Sequence, residues 1–275
     1  MSLKNKNAVI TGAGGVLCGV FAKVLAQAGC CVALLDINEE AVSALAREIN
    51  ENGGQALPLK CNVLDRGELE QARRSVSAKF GKCDILLNGA GGNNQKCTTT
   101  KEYYEAGDIS DDVVSFFDLE KAGFDFVFSL NMMGTLLPTQ VFAADMLDRD
   151  CTVINVSSMN AFTPLTKIPA YSAAKSAVSN FTQWLAVHFA SSGLRVNAIA
   201  PGFFVTKQNH ALLFNADGTP TPRSDKILAA TPMGRYGKPK ELTGTLLWLA
   251  DSESSGFVTG TIIPVDGGFS AYSGV

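Results

Sequence analysis

The sequence is poor in the residues from which metal sites and disulfide frameworks are built. Only two histidines, His188 and His210, occur among its 275 residues, and none of its seven cysteines belongs to a Cys-x-x-Cys pair. Because catalytic zinc needs several His, Cys or acidic ligands at recognisable spacings, we expect no metal site. An odd number of unpaired cysteines likewise indicates reduced thiols rather than disulfides.

Charge and long apolar runs are also scarce. The formal net charge is −3 and no basic block occurs, which argues against nucleic acid as the main partner. No signal-peptide core and no apolar run of membrane-spanning length is visible, so we expect a cytoplasmic protein without a membrane partner. Hydrophobic residues make up 46% of the chain and no Pro/Ser-rich linker divides it, which predicts one domain over residues 1–275.

Short apolar runs alternate with longer amphipathic ones along the chain. This alternation predicts an α/β fold, a Rossmann-like doubly wound parallel sheet of about seven strands with helices on both faces. Two long loops, about 92–123 and 202–235, follow strands and should lie at the carboxyl edge of the sheet, where such folds bind ligands. The predicted strands are 8–11, 31–36, 56–61, 85–88, 152–156, 195–199 and 261–265. The predicted helices are 19–28, 39–51, 67–80, 124–146, 171–191 and 241–250.

A glycine-rich turn follows the first predicted strand. It reads Thr11-Gly-Ala-Gly-Gly15, and such a turn lets backbone N–H groups approach a pyrophosphate at a helix N-terminus. Glycines also serve ordinary tight turns, but Asp36 ends the second strand, where a carboxylate binds the adenosine ribose hydroxyls. A carboxylate there repels a 2′-phosphate and no arginine follows it, so NAD is favoured over NADP. The alternative for Asp36 is a helix N-cap.

Ser158, Tyr171 and Lys175 form the candidate catalytic set. Tyr171 and Lys175 are four residues apart in a helical pattern, so their side chains share one face. A neighbouring cation favours the phenolate, and we therefore expect Lys175 to lower the pKa of Tyr171 and make it a proton donor and acceptor. Ser158 ends a predicted strand and could hydrogen-bond a substrate oxygen. Alone, the Tyr-x-x-x-Lys spacing would fit an ordinary surface helix.

Taken together, these motifs resemble the short-chain dehydrogenase/reductase family over nearly the full length. The resemblance implies that Tyr171 is the general acid or base, that Lys175 binds the nicotinamide ribose, that Ser158 holds the substrate oxygen and that Asn131 keeps a water in the proton relay. It also implies a homotetramer. Further matching stretches are Asn88-Gly-Ala-Gly91, Arg195-Val-Asn197, Pro201-Gly202 and Asp266-Gly-Gly268. The implied NAD contacts are Gly12, Gly14, Gly15, Val16, Leu17, Asp36, Ile37, Asn62, Val63, Asn88, Ala90, Gly91, Tyr171, Lys175, Pro201, Gly202, Phe204 and Thr206.

The chain departs from the family pattern at a few positions. Val16 and Cys18 replace the last two glycines of Thr-Gly-x-x-x-Gly-x-Gly, and Gly89 replaces an asparagine. Asn62 stands where the family has an aspartate near the adenine. We therefore expect the path of the diphosphate turn to differ. Two apolar helix stretches, 181–184 and 246–249, are interpreted as subunit contacts.

The two long loops carry the substrate signal. Their amides and cations suit the hydroxyls and carboxylate of a sugar acid, although about half of them could be solvated loop residues. The loop sequences are most similar to a sugar-acid branch of the family, the D-mannonate oxidoreductases (fructuronate reductases). The alternatives are a gluconate 5-dehydrogenase or other hexonate dehydrogenase, and a protein that senses NAD(H) without turnover. The candidate substrate residues are Asn93, Asn160, Gln208, Asn209, His210 and Arg223, with Asn94, Lys167 and Arg235 as further possible contributors.

Overall fold

Seven parallel strands form one sheet in the order β3-β2-β1-β4-β5-β6-β7. The computed structural model describes residues 3–109, 112–206 and 210–274. Every predicted strand is found with its ends within two residues of the expected ones, which confirms the Rossmann-like sheet. The strands are β1 Asn7–Thr11, β2 Cys31–Asp36, β3 Gln55–Lys60, β4 Ile85–Asn88, β5 Cys151–Val156, β6 Leu194–Pro201 and β7 Ile262–Val265.

Helices cover both faces of the sheet, as the burial of β1 shows. Ile10 packs in one hydrophobic core with Phe21, whereas Val9 packs in a second core with Leu69 and Phe142. A strand buried on both faces needs apolar residues at successive positions, which is why residues 8–10 of β1 form a continuous apolar run. The α-helices are α1 Val16–Gln27, α2 Glu39–Glu51, α3 Arg66–Lys79, α4 Lys121–Phe128, α5 Gly134–Ala143, α6 Pro169–His188, α7 His210–Leu213, α8 Pro222–Ala229, α9 Thr243–Ala250 and α10 Ser252–Ser255.

The predicted helix 124–146 is interrupted by a π-helical turn, Ser129–Met133, between α4 and α5. Together these segments form a helical stretch, Lys121–Ala143, that has the length and composition of a membrane span, which corrects the expectation that no such run exists. Half of its most apolar window is buried inside the protein, and Asn131 and Thr135 within it make internal hydrogen bonds. These are properties of a core helix.

The two stretches expected to form subunit contacts differ in exposure. Leu246 and Leu249 of α9 are fully buried in the chain's own core, together with Phe21 and Leu25 of α1. On α6, by contrast, Trp184 is 55% exposed and stacks against His188, with 4.6 Å between ring centroids. Leu247 and Trp248 of α9 are half-buried, so this stretch is less exposed than the α6 surface.

Candidate active site

The three candidate catalytic side chains meet where β5 ends and α6 begins. Ser158 lies two residues after the end of β5, is 7% exposed, and caps a short 3-10 turn by accepting a hydrogen bond from the Asn160 N–H at 3.2 Å. Pro169 starts α6, so Tyr171 lies in its first turn and Lys175 in its second. The Nζ of Lys175 lies 5.7 Å from the centre of the Tyr171 ring. The structure thus brings the predicted set together.

The protonation of this pair differs from the expectation. Burial raises the pKa of Tyr171, and a hydrogen bond with Ser158 lowers it by less. Burial also lowers the pKa of Lys175 to about 8, because an ammonium is poorly stabilised away from water. Lys175 donates its hydrogen bond to the Val156 carbonyl at 2.8 Å instead of to the phenol. The prediction that Lys175 lowers the pKa of Tyr171 is therefore wrong for the chain without bound cofactor and substrate.

Asn131 is fixed by the π-helical turn. Its Nδ2 donates to the carbonyls of Val127 at 2.7 Å and Gly92 at 2.8 Å, and its Oδ1 accepts from the Gly92 N–H at 3.3 Å. The Val127 carbonyl is one that a regular α-helix would give to the backbone N–H of residue 131. A Cβ at Gly91 would lie 2.6 Å from Asn131 Oδ1 and 3.1 Å from Lys175 Nζ. The glycine thus lets the amide and the ammonium share one small space.

The glycine-rich turn is built to leave a helix N-terminus accessible. Gly12 has a φ of +65°, and a Cβ there would lie 2.8 Å from the Ala90 backbone nitrogen. Thr11, expected only as the first residue of the turn, accepts hydrogen bonds from the Gly89 and Ala90 N–H groups through its hydroxyl and so joins the ends of β1 and β4. Helix α1 has no side-chain cap and no acidic residue in its first turn. Its N–H groups suit an anion such as a diphosphate.

Asp36 holds this turn from the neighbouring strand. Its carboxylate accepts hydrogen bonds from Gly14 N–H at 3.0 Å and from Asn38 N–H at 2.9 Å. The cap of α2 is Asn38, whose side chain accepts from Ala41 N–H, so the alternative of Asp36 as the N-cap is wrong. A carboxylate can accept further hydrogen bonds, which leaves Asp36 able to bind ribose hydroxyls. Ile37 and Asn62, which follow β2 and β3, are exposed at the same edge.

Two departures from the family pattern compensate each other. A Cβ at Gly89 would lie 2.1 Å from the Sγ of Cys18, which is closer than any real contact. The Cys18 side chain is 4% exposed, and burial raises the pKa of its thiol to about 12. Cys18 therefore acts as an inert packing group that occupies the space a side chain at position 89 would need. The two substitutions form one packing unit beside the diphosphate turn.

The remaining predicted cofactor residues divide into edge and interior positions. Asn88 points inward, and its Nδ2 donates to Thr139 at 3.0 Å and to Asn155 at 2.9 Å, so its side chain braces β4 against β5 and α5. Phe204 is 5% exposed, and its ring fills the space beside Gly237. Val63 is buried, whereas Val16 is exposed. The remaining predicted residues lie at or near the carboxyl edge of the sheet: Leu17, Pro201, Gly202 and Thr206.

The predicted substrate residues are placed unequally. Asn160 is 3% exposed, lies beside Ser158 and has an Oδ1 without a hydrogen-bond partner among the described residues. Asn93 donates to Thr98 within its own loop. His210 packs on Phe214, with 5.1 Å between ring centroids. Gln208 and Asn209 lie outside the described residues.

The two arginines of the second loop differ in their partners. Arg235 is held by both oxygens of Glu241, at 2.8 and 2.7 Å, and this pair lines a cavity of about 190 Å³ that contains none of the catalytic side chains. Arg223 lies in the first turn of α8 and is half-buried. Ser157 was not predicted as a site residue, but its hydroxyl donates to the Lys175 carbonyl at 3.3 Å and so braces α6. Its position directly before Ser158 was the available signal.

Comparisons with known proteins show which family and which relatives the chain is similar to. Residues 17–270 match the family described as enoyl-(acyl carrier protein) reductase. A Haemophilus influenzae structure with bound NAD, provisionally identified as a D-mannonate oxidoreductase, is 58% identical, with a TM-score of 0.96 and coverage of 100% of this chain and 98% of that one. The uncharacterised oxidoreductase UxuB of Bacillus subtilis is 55% identical, over 100% of this chain and 98% of its own length. A Burkholderia cenocepacia gluconate 5-dehydrogenase in complex with NADP and tartrate is 29% identical, with a TM-score of 0.82 and coverage of 98% and 97%.

Proposed function

The chain belongs to the short-chain dehydrogenase/reductase family, and from that premise we propose that it interconverts D-mannonate and D-fructuronate with NAD. It is an oxidoreductase that acts on CH–OH groups, and the exchange of alcohol and ketone would take place at C5 of the sugar acid. The observation that carries the proposal is the meeting of Ser158, Tyr171 and Lys175 at the sheet edge that also holds the Asp36-braced glycine turn.

The residues present fit NAD. The Asp36 carboxylate would bind the adenosine ribose hydroxyls, the uncapped start of α1 would bind the diphosphate, and Lys175 would bind the nicotinamide ribose. When bound, NAD supplies the group that accepts or returns a hydride. Bound NAD in the 58% identical Haemophilus influenzae structure supports this assignment over NADP.

The side chains of this site bind, orient and exchange a proton. Ser158 would donate its hydroxyl hydrogen to the substrate oxygen, and Tyr171 would exchange a proton with that same oxygen. Since burial raises the pKa of Tyr171, the phenol form dominates at neutral pH, and this form protonates the alkoxide that develops during ketone reduction. Alcohol oxidation needs the phenolate, so its rate should rise with pH while that of ketone reduction falls.

The substrate assignment is supported by the loops and by the relatives. The loops after β4 and β6 offer amides and cations, and full-length identity of 58% links the chain to the provisional D-mannonate oxidoreductase. A gluconate 5-dehydrogenase is the second candidate, because the Burkholderia cenocepacia enzyme of that name has the same fold and holds tartrate, itself a hydroxy acid. A protein that only senses NAD(H) has no use for a complete Ser-Tyr-Lys set.

A panel of sugar acids tests this proposal. NADH absorbance would be followed with NAD and D-mannonate, D-gluconate and other hexonates, and in reverse with NADH and D-fructuronate and other ketohexonates. We expect the highest kcat/KM for D-mannonate and D-fructuronate, with Tyr171→Phe as the inactive control. Preference for D-gluconate would favour the second candidate, and no turnover of any hexonate, with NADH binding intact, would contradict the proposed activity.

We also propose that the enzyme is a homotetramer assembled through α6. Trp184 is 55% exposed and Val187 is 79% exposed on this helix, and Phe181 stacks on Trp184 with 6.2 Å between ring centroids. Apolar rings in such a stack bury well against a second copy. Light scattering should give four times the chain mass, and Trp184→Glu should lower it. A monomer at assay concentration would contradict the assembly.

A further inference from the structure

Three loops that surround the carboxyl edge are joined by one short stretch of the insert after β4. The Thr99 N–H donates to the Lys167 carbonyl at 2.9 Å, which holds the insert against the segment between Ser158 and α6. Three residues later, Glu102 forms an ion pair with Lys226 of α8 at 2.9 Å. The stretch 99–102 therefore joins the loop that precedes the catalytic helix to the helix of the second long loop.

This arrangement places both Lys167 and Arg223 next to the insert after β4. Arg223 and Lys226 are three residues apart on α8, a spacing that puts both on one helix face. Since Lys226 contacts Glu102, Arg223 faces the insert as well. Lys167 comes four residues before Tyr171 and is half-buried, as is Arg223.

The cations outnumber the acid at this place. Glu102 is engaged by Lys226, and its lowered pKa reflects first that hydrogen bond and then the charges of Lys226, Lys167 and Arg223 nearby. Within the described residues, neither Lys167 nor Arg223 has an ion-pair or hydrogen-bond partner for its cationic group. Two half-buried positive charges thus have no acid of their own among the described residues.

The backbone of Lys167 supports a role at a ligand. Its φ is +72°, a left-handed conformation that is unfavourable for a residue with a side chain. The hydrogen bond from Thr99 to its carbonyl holds it there. Strained residues of this kind persist where the surrounding structure fixes them, and they concentrate at ligand-binding sites.

We propose that Lys167 and Arg223 bind the carboxylate of the sugar acid, while the Lys226–Glu102 ion pair holds α8 in place. This inference rests on the proposed function and names the anchor of its substrate class. A guanidinium can hold both oxygens of a carboxylate in a planar pair, and a lysine adds a second positive charge. The hydroxyl chain of the substrate would then run from this pair towards Ser158 and Tyr171, which precede and follow Lys167 in the sequence.

The test compares a sugar acid with its amide, which keeps every hydroxyl and removes the charge. For wild type, kcat/KM should be higher for D-mannonate than for D-mannonamide. Arg223→Gln and Lys167→Met should each raise KM for the acid by about 10- to 100-fold, the loss typical of a charged hydrogen bond, and leave kcat and the KM for the amide nearly unchanged. Arg235→Gln, in the same loop but paired with Glu241, is the matched control and should keep the wild-type ratio of acid to amide.

The outcomes separate the anchor from the activity. Equal losses for acid and amide in Arg223→Gln and Lys167→Met would mean that these residues shape the loops, and would overturn the anchor while the activity stands. If wild type turned over no hexonate, the proposed function would fail, and the anchor would be tested by titrating D-gluconate onto the NADH-bound enzyme. Binding that is lost in Arg223→Gln would support the anchor, and absence of binding to wild type would overturn it.

Discussion

Replacing Lys175 by methionine should abolish activity and yet preserve or raise stability. The Lys175 side chain is 4% exposed, and burial lowers its pKa from 10.5 to about 8. Each unit of pKa shift corresponds to about 1.4 kcal/mol, so the charged ammonium lowers the free energy of unfolding by roughly 3 kcal/mol at neutral pH. Methionine has a similar length and no charge, so the variant recovers that loss.

A lost hydrogen bond offsets part of the gain. The Nζ of Lys175 donates to the Val156 carbonyl, and an unsatisfied buried acceptor costs about 1–3 kcal/mol. At neutral pH we therefore expect Lys175→Met to be as stable as wild type, or more stable by up to about 2 kcal/mol. NAD turnover should nevertheless be lost, since the ammonium that would bind the ribose is gone.

The pH dependence of stability gives the sharper result. Below pH 8 Lys175 is charged in both the folded and the unfolded chain, so burial of the ammonium lowers the free energy of unfolding by its full amount. Between pH 8 and 10.5 the folded chain releases the proton first, so the unfolded chain binds more protons and wild-type stability rises with pH relative to the variant. The advantage of Lys175→Met should accordingly shrink by roughly 3 kcal/mol across this interval.

Urea unfolding followed by circular dichroism would measure this difference at fixed protein concentration and without cofactor. Lys240→Met, which changes an exposed lysine, is the matched control and should track wild type at every pH. A stability difference between Lys175→Met and wild type that stays constant across the interval would refute the reasoning that burial of this ammonium opposes folding.

Three further changes probe the cofactor side of the site. Asp36→Ser should shift the ratio of kcat/KM for NAD over NADP by at least about 10-fold towards NADP, because no carboxylate then repels a 2′-phosphate. An unchanged ratio would show that Asp36 does not select the cofactor. Gly91→Ala should lower kcat by roughly an order of magnitude, since the added Cβ would lie 2.6 Å from Asn131 Oδ1, and initial rates within twofold of wild type would speak against this packing. Gly89→Ala should lower the free energy of unfolding in urea by about 1–3 kcal/mol, because the added Cβ would contact Cys18. Adding Cys18→Ala should restore most of that free energy in the double variant. The absence of such rescue would disprove the coupling of the two positions.

The sheet and the catalytic positions were predictable because local patterns determine them. Apolar runs such as residues 8–10 of β1 identify strands buried on both faces, and the glycines that follow β1 identify a turn. Ser158 follows from its place after a strand, and Tyr171 and Lys175 follow from their spacing of four residues on one helix. No contact between distant residues is needed for any of these predictions.

Features that depend on contacts between distant residues could not be predicted from the sequence. The Tyr171 pKa is set by burial and by Ser158, and the Lys175 ammonium turns to a strand carbonyl that the helix pattern does not reveal. The partner of an apolar helix face is equally hidden, because the sequence does not distinguish a core residue such as Leu246 from a residue at a subunit contact. The π-helical turn at Asn131 depends on hydrogen bonds to another loop, which periodicity cannot show.

Turnover by Tyr171→Phe is the measurement that bears most directly on the account, because one hydroxyl is assigned the proton exchange. Initial rates with D-mannonate and NAD would be compared with wild type, and NADH binding would be followed by fluorescence in both proteins. We expect kcat to fall by at least about 100-fold while the Kd for NADH stays the same. Turnover close to that of wild type would show that another group moves the proton.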